Sequence, residues 1–218
     1  MPSRMPNAST APELIAIYAD ESCLGNGREG DNPGVAGGLI EIPREAGREP
    51  IRRDYWLAEP ATTNNRMALR SAIEGLRLAG LDGASRHIVF TSDSRYLVDG
   101  MTSWVYDWAR RGWRRKSGAI ENVALWRELV EAARRHRIAW RWVRGHAGHP
   151  QNEYANVLAT RAAARQVGSN GMIDSEFEEW LAAERARGRV TIAPDAMPDP
   201  ASFRPARELP AVPTESLF

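Results

Sequence analysis

The sequence has little cysteine and little histidine. One cysteine, Cys23, and four histidines occur in 218 residues. A lone cysteine excludes a disulfide framework within the chain and any zinc cluster that is built on several cysteines. Because stable disulfides belong to oxidising compartments, we predict a protein of a reducing compartment, the cytoplasm.

Long apolar segments are missing as well. No run approaches the roughly 20 residues that a membrane-spanning helix needs, and the mean hydropathy is −0.47. The first residues, MPSRMPNASTAPE, contain no apolar stretch behind Arg4, so we expect no secretory signal at this end. These features predict a soluble protein with no membrane partner. We also expect a monomer, although these features do not determine the oligomeric state.

Charge is unevenly distributed along the chain. The formal net charge is +1, but residues 169–218 contain nine acidic residues and five arginines. Residues 104–116, WVYDWARRGWRRK, contain five cations, one acidic residue and three tryptophans. Cations neutralise phosphates and aromatic rings stack on bases or lie against sugars, so this segment, the basic protrusion, predicts nucleic-acid contact. A solvated basic face with packed tryptophans is the alternative.

The pattern of apolar residues predicts an α/β fold. Residues 13–20, 35–42 and 51–57 form closely spaced strand patterns that predict an antiparallel meander. Two later strands are expected, and they alternate with helices, which indicates a five-stranded mixed sheet flanked by helices. The later strands are expected at 87–91 and 138–143, and the helices at 62–77, 94–104, 122–135 and 152–166.

The ends of the chain differ from its middle. We expect a disordered lead at 1–12, one domain at 13–167 and an acidic, proline-rich extension at 168–218. A short amphipathic helix is predicted at 174–187. Six of the 14 prolines lie between residues 194 and 213, so the extension is expected to be mostly disordered.

Two carboxylates stand where apolar strands end. Asp20 closes the first strand, in YADES, and Asp93 follows the fourth, in VFTSDS. If these strands are neighbours, both carboxylates meet at one edge of the sheet and can bind a hard cation such as Mg²⁺ through oxygen. Each aspartate alone would also suit the capping of a loop.

Two further motifs point to chemistry near that edge. TTNNR at 62–66 suits a well-capped helix or a phosphate site at a helix N-terminus. RGHAGHPQNE at 144–153 contains His146 and His149, but no other histidine or cysteine completes a zinc site. We therefore favour a single histidine that carries protons beside metal ions.

Together and in order, TTNNRM, TSDSRYL, WARRGWRRK, ENVALW and VRGHAGHPQNE resemble type 1 ribonuclease H of bacteria, over about residues 14–165. The resemblance implies a five-stranded mixed sheet with helices on both faces. It also implies endonucleolytic hydrolysis of the RNA strand of RNA–DNA hybrids. The family uses two divalent ions held by four carboxylates, which implies Mg²⁺, with Mn²⁺ as an alternative.

The resemblance assigns roles to individual residues. Asp20 and Asp93 match metal-binding aspartates, and His146 matches a loop histidine that assists proton transfer and product release. The 2′-OH-reading pair matches Asn64 and Asn65. The predicted substrate contacts, from the resemblance and the basic protrusion together, are Cys23, Asn26, Thr63, Asn64, Asn65, Arg95, Trp104, Trp108, Arg110, Arg111, Trp113, Arg114 and Lys116.

Two positions depart from the family pattern. NNRMA places Ala68 where the family has a glutamate, and NEYANVLA places Asn156 where it has an aspartate. Asn156 still offers a neutral oxygen to a metal, whereas Ala68 offers none. Glu21, beside Asp20, is the predicted replacement for the glutamate. Neighbouring residues of a strand point to opposite faces, so Asp20 and Glu21 can bind the same metal only if the strand gives way to a loop at this point. Asp31, in the long first loop, is a more distant candidate.

These departures leave more than one functional hypothesis. We predict an active ribonuclease H, slow or selective for its metal. The alternatives are a silent module that binds hybrids without cutting them, and a different superfamily member such as a transposase-like or exonuclease domain. The terminal TESLF also resembles peptides that dock on sliding clamps, with Leu217 and Phe218 as the apolar contacts.

Overall fold

The computed structural model describes residues 12–23, 32–45, 48–115 and 118–212. Six strands form one sheet within these ranges, where the sequence predicted five. The strands are β1 (Leu14–Cys23), β2 (Gly34–Ile42), β3 (Ile51–Glu59), β4 (His87–Ser92), β5 (Arg137–Trp142) and β6 (Ile173–Asp174). Their order is β5-β4-β1-β2-β3-β6, with β1, β2 and β3 antiparallel and β4 parallel to both β1 and β5.

Helices lie on both sides of this sheet, as predicted. A π-helical turn at Gly100–Trp104 joins the second and third helices, so that residues 95–110 run as one helical segment. The helices are α1 (Asn64–Ala79), α2 (Arg95–Asp99), α3 (Val105–Arg110), α4 (Val123–Ala133), α5 (Pro150–Arg165) and α6 (Phe177–Ala186). None of the helices in the described ranges is both long and apolar enough to cross a bilayer.

β1 is buried on both faces, and its side chains alternate between two cores. Ile15, Ile17 and Ala19 belong to the apolar cluster that contains α1 and α4 side chains. Ala16 and Tyr18 belong to the cluster that contains α5 and α6 side chains. Because the period of a strand is two, odd-numbered residues of β1 face α1 and even-numbered residues face α5.

The sixth strand lies in the extension and pairs with the edge strand β3, with Ile173 opposite Asp54. It spans two residues, too few to show the alternation from which a strand is predicted. The helix after it matches the helix predicted at 174–187. Its Phe177 packs edge-on against Tyr154 of α5, with ring centroids 5.3 Å apart.

Residues 188–212 contain no helix or strand, but they contact the domain. The Ala206 amide donates to the Ile138 carbonyl at 2.8 Å, and the Tyr106 hydroxyl donates to the Arg207 carbonyl at 2.7 Å. The prediction of a mostly disordered extension missed this packing. Prolines prevent regular pairing, yet single backbone and side-chain groups still reach the domain.

Several predicted positions lie outside the described residues. They are most of the lead at 1–12, Asn26, Asp31, Lys116, Leu217 and Phe218.

Candidate active site

Three carboxylates converge at the carboxyl end of the two central parallel strands. Ala19 of β1 pairs with Ser92 of β4, so Asp20 and Asp93 are the next residues on neighbouring strands. One oxygen from each of Asp20, Glu21 and Asp93 lies within 4.8 Å of the others. The sequence-based expectation that the two aspartates meet is therefore supported by the register of the sheet.

Glu21 reaches this cluster for a different reason from the one predicted. β1 does not give way to a loop at Glu21: it continues to Cys23 and pairs Glu21 with Ala36 of β2. By the alternation along β1, Asp20 faces α5 and Glu21 faces α1. β4 ends at Ser92, so beyond Ala19 β1 has no pairing with β4, and Asp93 follows directly after this end.

Ala68 occupies the face on which Glu21 lies. It sits in the first part of α1, is 1% exposed and belongs to the same apolar cluster as Ala19. The Glu21 carboxylate on β1 thus lies on the face of the sheet that α1 covers. A glutamate at position 68 of α1 would extend from the same face. Glu21 and Ala68 therefore lie on the same side of the sheet.

Burial and neighbouring negative charges disfavour the ionised form of the clustered carboxyl groups. Burial, reinforced by the charge of Asp93, raises the pKa of Asp20 to about 7. Burial, followed by the charges of Asp20 and Asp93, raises the pKa of Glu21 well above its usual value, and burial raises that of Asp93. Crowded, desolvated carboxylates are stabilised by a positive charge, and oxygen is the ligand that hard divalent cations prefer. These residues therefore fit a divalent cation.

Two hydrogen bonds orient the Asp20 carboxylate. The Glu21 amide donates to Oδ1 at 2.7 Å, and the Asn152 side-chain amide donates to Oδ2 at 3.3 Å. Sequence reasoning missed Asn152, which is 2% exposed in the first turn of α5. Asn156 follows four residues later and hence on the same helix face, which is the signal that could have identified Asn152.

The His146 loop lies close to Asp93. A Cβ added to Gly145 would fall 2.2 Å from Asp93 Oδ2, so any other residue here would require the Asp93 carboxylate to shift. His146 adopts a left-handed φ of 52°. Its imidazole is largely exposed, with Nδ1 3.9 Å from Glu153 Oε2. The loop thus places an exposed imidazole near the carboxylates.

The N-terminus of α1 carries the predicted substrate-reading residues. Thr63 is the N-cap, as expected, and its hydroxyl accepts from the Arg66 amide at 3.3 Å. Asn64 and Asn65 follow in the first turn and are half-buried. Among the described residues, the buried Asn64 Oδ1 has no hydrogen-bond partner. An unpaired amide oxygen of this kind is suited to a donor from a ligand.

The basic protrusion divides into surface cations and packed tryptophans. Arg110, Arg111 and Arg114 are exposed. Trp104 and Trp108 pack against Trp126, with ring centroids 6.3 and 5.5 Å away. The packing of the tryptophans agrees with the alternative interpretation, whereas phosphate contact by the exposed arginines stays a prediction.

Trp113 is not available for the sugar contact that was predicted for it. Its side chain is 5% exposed, within the main apolar cluster. Gly112 and Trp113 both have left-handed φ values, 62° and 60°. This turn carries the indole inward, a backbone choice that the local sequence does not reveal.

Cys23 and Arg95 occupy different environments. Cys23 is buried beside Met67, and burial raises the pKa of its thiol to about 11. Arg95 is exposed and stacks on the Trp142 ring at 3.9 Å. The Trp142 indole donates to the Asp93 carbonyl at 2.9 Å, so this half-exposed ring, which sequence reasoning overlooked, borders the cluster.

Comparison with known proteins agrees with this geometry. The RNase H family profile matches residues 12–164. Ribonuclease H of Acidithiobacillus ferrooxidans is 41% identical over 170 residues, covering 78% of this chain and 98% of that protein. Ribonuclease H of Pelobacter propionicus is 42% identical over 165 residues, covering 75% and 92%.

Solved structures are also similar. LC9-RNase H1, described as a type 1 RNase H with the type 2 active-site motif, superposes with a TM-score of 0.85 at 58% identity, covering 96% of this chain and 97% of that one. The PFV RNase H domain shares the fold, with a TM-score of 0.58 at 14% identity. The chain therefore belongs to the ribonuclease H family, the endonucleases that hydrolyse the RNA strand of RNA–DNA hybrids.

Proposed function

We propose that this protein cleaves the RNA strand of RNA–DNA hybrids at the cluster of Asp20, Glu21 and Asp93, with Glu21 replacing the glutamate that is absent at Ala68. The observation that carries the proposal is the approach of three carboxylate oxygens within 4.8 Å. A relative at 58% identity is described as a type 1 RNase H with the type 2 active-site motif, so a changed motif has a precedent within type 1 enzymes.

We propose Mg²⁺ as the cofactor, with Mn²⁺ as a substitute. Asp20, Glu21 and Asp93 would hold the ion, and Asn156 would add a neutral oxygen. With Glu21 counted, the formal charge of the ligands is −3, compared with −4 for the usual four carboxylates. Bound divalent ions would supply an activated water and stabilise the leaving 3′ oxygen.

The chain's own groups then have separate tasks. Asn152 holds the Asp20 carboxylate in one orientation through its 3.3 Å hydrogen bond. His146, exposed and held above Asp93 by its loop, carries protons as the product leaves. This assignment is supported by the close approach of Gly145 to Asp93, which fixes where the loop begins.

RNA is distinguished from DNA at the N-terminus of α1. Asn64 and Asn65 are proposed to bind 2′-hydroxyls, which DNA lacks. The unpaired Asn64 Oδ1 supports this role, because a 2′-OH can donate to it. Thr63, exposed at the same helix end, is placed to bind a phosphate of the DNA strand.

The basic protrusion is proposed to grip the DNA strand. Its exposed arginines neutralise phosphates, and Arg95 on Trp142 adds a cation beside the cluster. Trp104 and Trp108 pack against Trp126 in the same part of the fold. Contacts through Asn26 and Lys116, clamp docking through Leu217 and Phe218, a monomeric state and a cytoplasmic location stay predictions from the sequence.

A labelled RNA–DNA duplex tests the proposal. We expect cleavage with Mg²⁺ that Glu21→Gln reduces about 100-fold or more, about 2.7 kcal/mol of barrier, while the duplex is still shifted on a gel. Glu74→Gln removes a carboxylate from the other side of α1 and should leave cleavage within about twofold, as for a surface site. Cleavage by Glu21→Gln at the wild-type rate would contradict the site. A wild-type protein that shifts the duplex without cutting it would be the silent module.

A further inference from the structure

Asp195 of the C-terminal extension contacts β5 and the end of the His146 loop, next to the carboxylate cluster. The Asp195 carboxylate accepts hydrogen bonds from the Arg141 guanidinium and, at 3.1 Å, from His149 Nε2. Arg141 belongs to β5, and His149 ends the loop that carries His146. One side chain of the extension therefore joins the central sheet to the catalytic loop.

Asp195 also determines how His149 caps α5. The His149 Nδ1 accepts from the Asn152 amide at 3.4 Å, so the ring proton must sit on Nε2. Donation from Nε2 to Asp195 holds the ring in this tautomer and orientation. The carboxylate therefore reinforces the tautomer that the Asn152 amide requires.

The Asp195 backbone makes a second connection, to Gln151. The Gln151 side-chain amide donates to the Asp195 carbonyl at 3.0 Å, and the Asp195 amide donates to Gln151 Oε1 at 3.1 Å. Gln151 is fully buried, so both of its hydrogen-bonding ends are committed to the extension. This reciprocal pair fixes the start of α5 against residue 195.

Three consecutive residues of α5 thus bind three different parts of the molecule. Gln151 binds the extension, Asn152 binds Asp20 at 3.3 Å, and Glu153 accepts from the Gly148 amide at 3.1 Å in the His146 loop. A shift of the first turn of α5 would move the Asp20 partner and the loop together. The extension binds Gln151, the residue that precedes Asn152 and Glu153.

The preceding residues of the extension seat it on the same region. Val190 is buried in the apolar cluster that contains Tyr18 and Tyr154. A Cβ added to Gly148 would lie 3.5 Å from Ile192 Cδ1, so the Ile192 side chain lies near the loop. Residues 190–195, here called the strap, therefore run from the core to the base of the catalytic loop.

We propose that the strap is a positioning element of the active site, which holds Gln151 through the backbone of residue 195. We propose also that Asp195 is a positioning residue, whose side chain acts through His149 on Asn152 and the His146 loop. The inference rests on the proposed site at Asp20, Glu21 and Asp93. Asp195 touches neither substrate nor metal ligand, so its effect falls on the rate of the chemical step. Binding of the hybrid is assigned to α1 and the basic protrusion, whereas Asp195 hydrogen-bonds to Arg141, His149 and Gln151.

The test compares Asp195→Asn with Asp174→Asn in the full chain. Both replace an aspartate of the extension that pairs with an arginine, but Asp174 binds Arg53 at the far edge of the sheet. We expect Asp195→Asn to lower kcat about 10- to 100-fold with KM within about twofold, the range for groups that orient a ligand indirectly. Asp174→Asn should change neither. One third of the Asp195 side chain is exposed, so the variant should fold.

Amide hydrogen exchange and a double-mutant cycle complete the test. In Asp195→Asn, the Asn152 and Gly148 amides should exchange at least about tenfold faster, as their hydrogen bonds open locally. The kcat losses of Asp195→Asn and His149→Ala should not add, because both remove one interaction. Unchanged exchange, an unchanged kcat or additive losses would overturn the inference. Cleavage that survives Asp93→Asn would instead overturn the proposed site, and the exchange rates would still decide whether the strap orders the loop.

Discussion

Replacing Asp20 with asparagine should stabilise the metal-free protein at neutral and alkaline pH. The Asp20 side chain is buried beside two other carboxylates, and its pKa is raised from 3.8 to about 7. At about 1.36 kcal/mol per unit of pKa, this interval corresponds to about 4 kcal/mol. Asparagine has no charge to bury, so the variant avoids that cost.

Part of the gain is lost to rearranged hydrogen bonds. Asp20 accepts from the Glu21 amide and from the Asn152 side chain, whereas asparagine offers one accepting oxygen. The Asn152 amide can turn its own oxygen towards the new NH₂ group, at a cost of about 1 kcal/mol. We therefore expect a net stabilisation of about 3 kcal/mol at pH 8.

The pH dependence has a definite sign. An acid whose folded pKa lies above its unfolded pKa favours the folded state below pH 3.8, and that contribution is lost as pH rises towards 7. The wild-type protein should lose this stability across the interval and the variant should not. By the same figures, the variant should be less stable than the wild type by about 1 kcal/mol below about pH 4 and more stable by about 3 kcal/mol above about pH 7.

Urea unfolding in the presence of a chelator measures this difference. Asp174→Asn, an exposed aspartate near the sheet edge, is the control and should change the unfolding free energy by less than about 0.5 kcal/mol. Added Mg²⁺ should narrow the gap, because the ion binds the folded wild-type cluster more tightly than the variant. A difference that stays constant between acid and alkaline pH would refute the reasoning from carboxylate crowding.

Three further predictions concern the ligands, the loop and the protrusion. Glu21→Ala should abolish cleavage. The double variant Glu21→Ala, Ala68→Glu should cleave at least about tenfold faster than Glu21→Ala alone. An equal rate for the two variants would show that a carboxylate at position 68 cannot replace the one at position 21. Gly145→Ala should lower kcat about tenfold or more with little change in hybrid affinity, because the new Cβ would displace the Asp93 carboxylate. Wild-type kinetics in this variant would show that the loop can move away from Asp93. Anisotropy titrations at several KCl concentrations give the slope of the logarithm of the binding constant for the hybrid against the logarithm of the salt concentration. Alanine replacement of three protrusion residues should make this slope less negative by about 2 to 3. An unchanged slope would refute their role. Those residues are Arg110, Arg111 and Arg114.

Much of the fold followed from local patterns. The strands and helices were predicted because their apolar spacing is a property of consecutive residues, and Thr63 was recognisable as a cap by its type and position. Asp20 and Asp93 could be paired in advance, because neighbouring parallel strands end at one edge of a sheet. The family motifs could be recognised for the same reason, since they are runs of adjacent residues.

The tertiary structure decided what depends on distant neighbours. Glu21 was predicted on the condition that β1 ended there, but it joins the cluster because β4 stops at Ser92, a fact about another strand. Trp113 was expected at the surface and is turned into the core by a left-handed backbone. Asp195 lies in a proline-rich extension whose local sequence indicates disorder. Its partners on β5 and α5 are about 45 to 55 residues away in the chain, and only folding brings them to it.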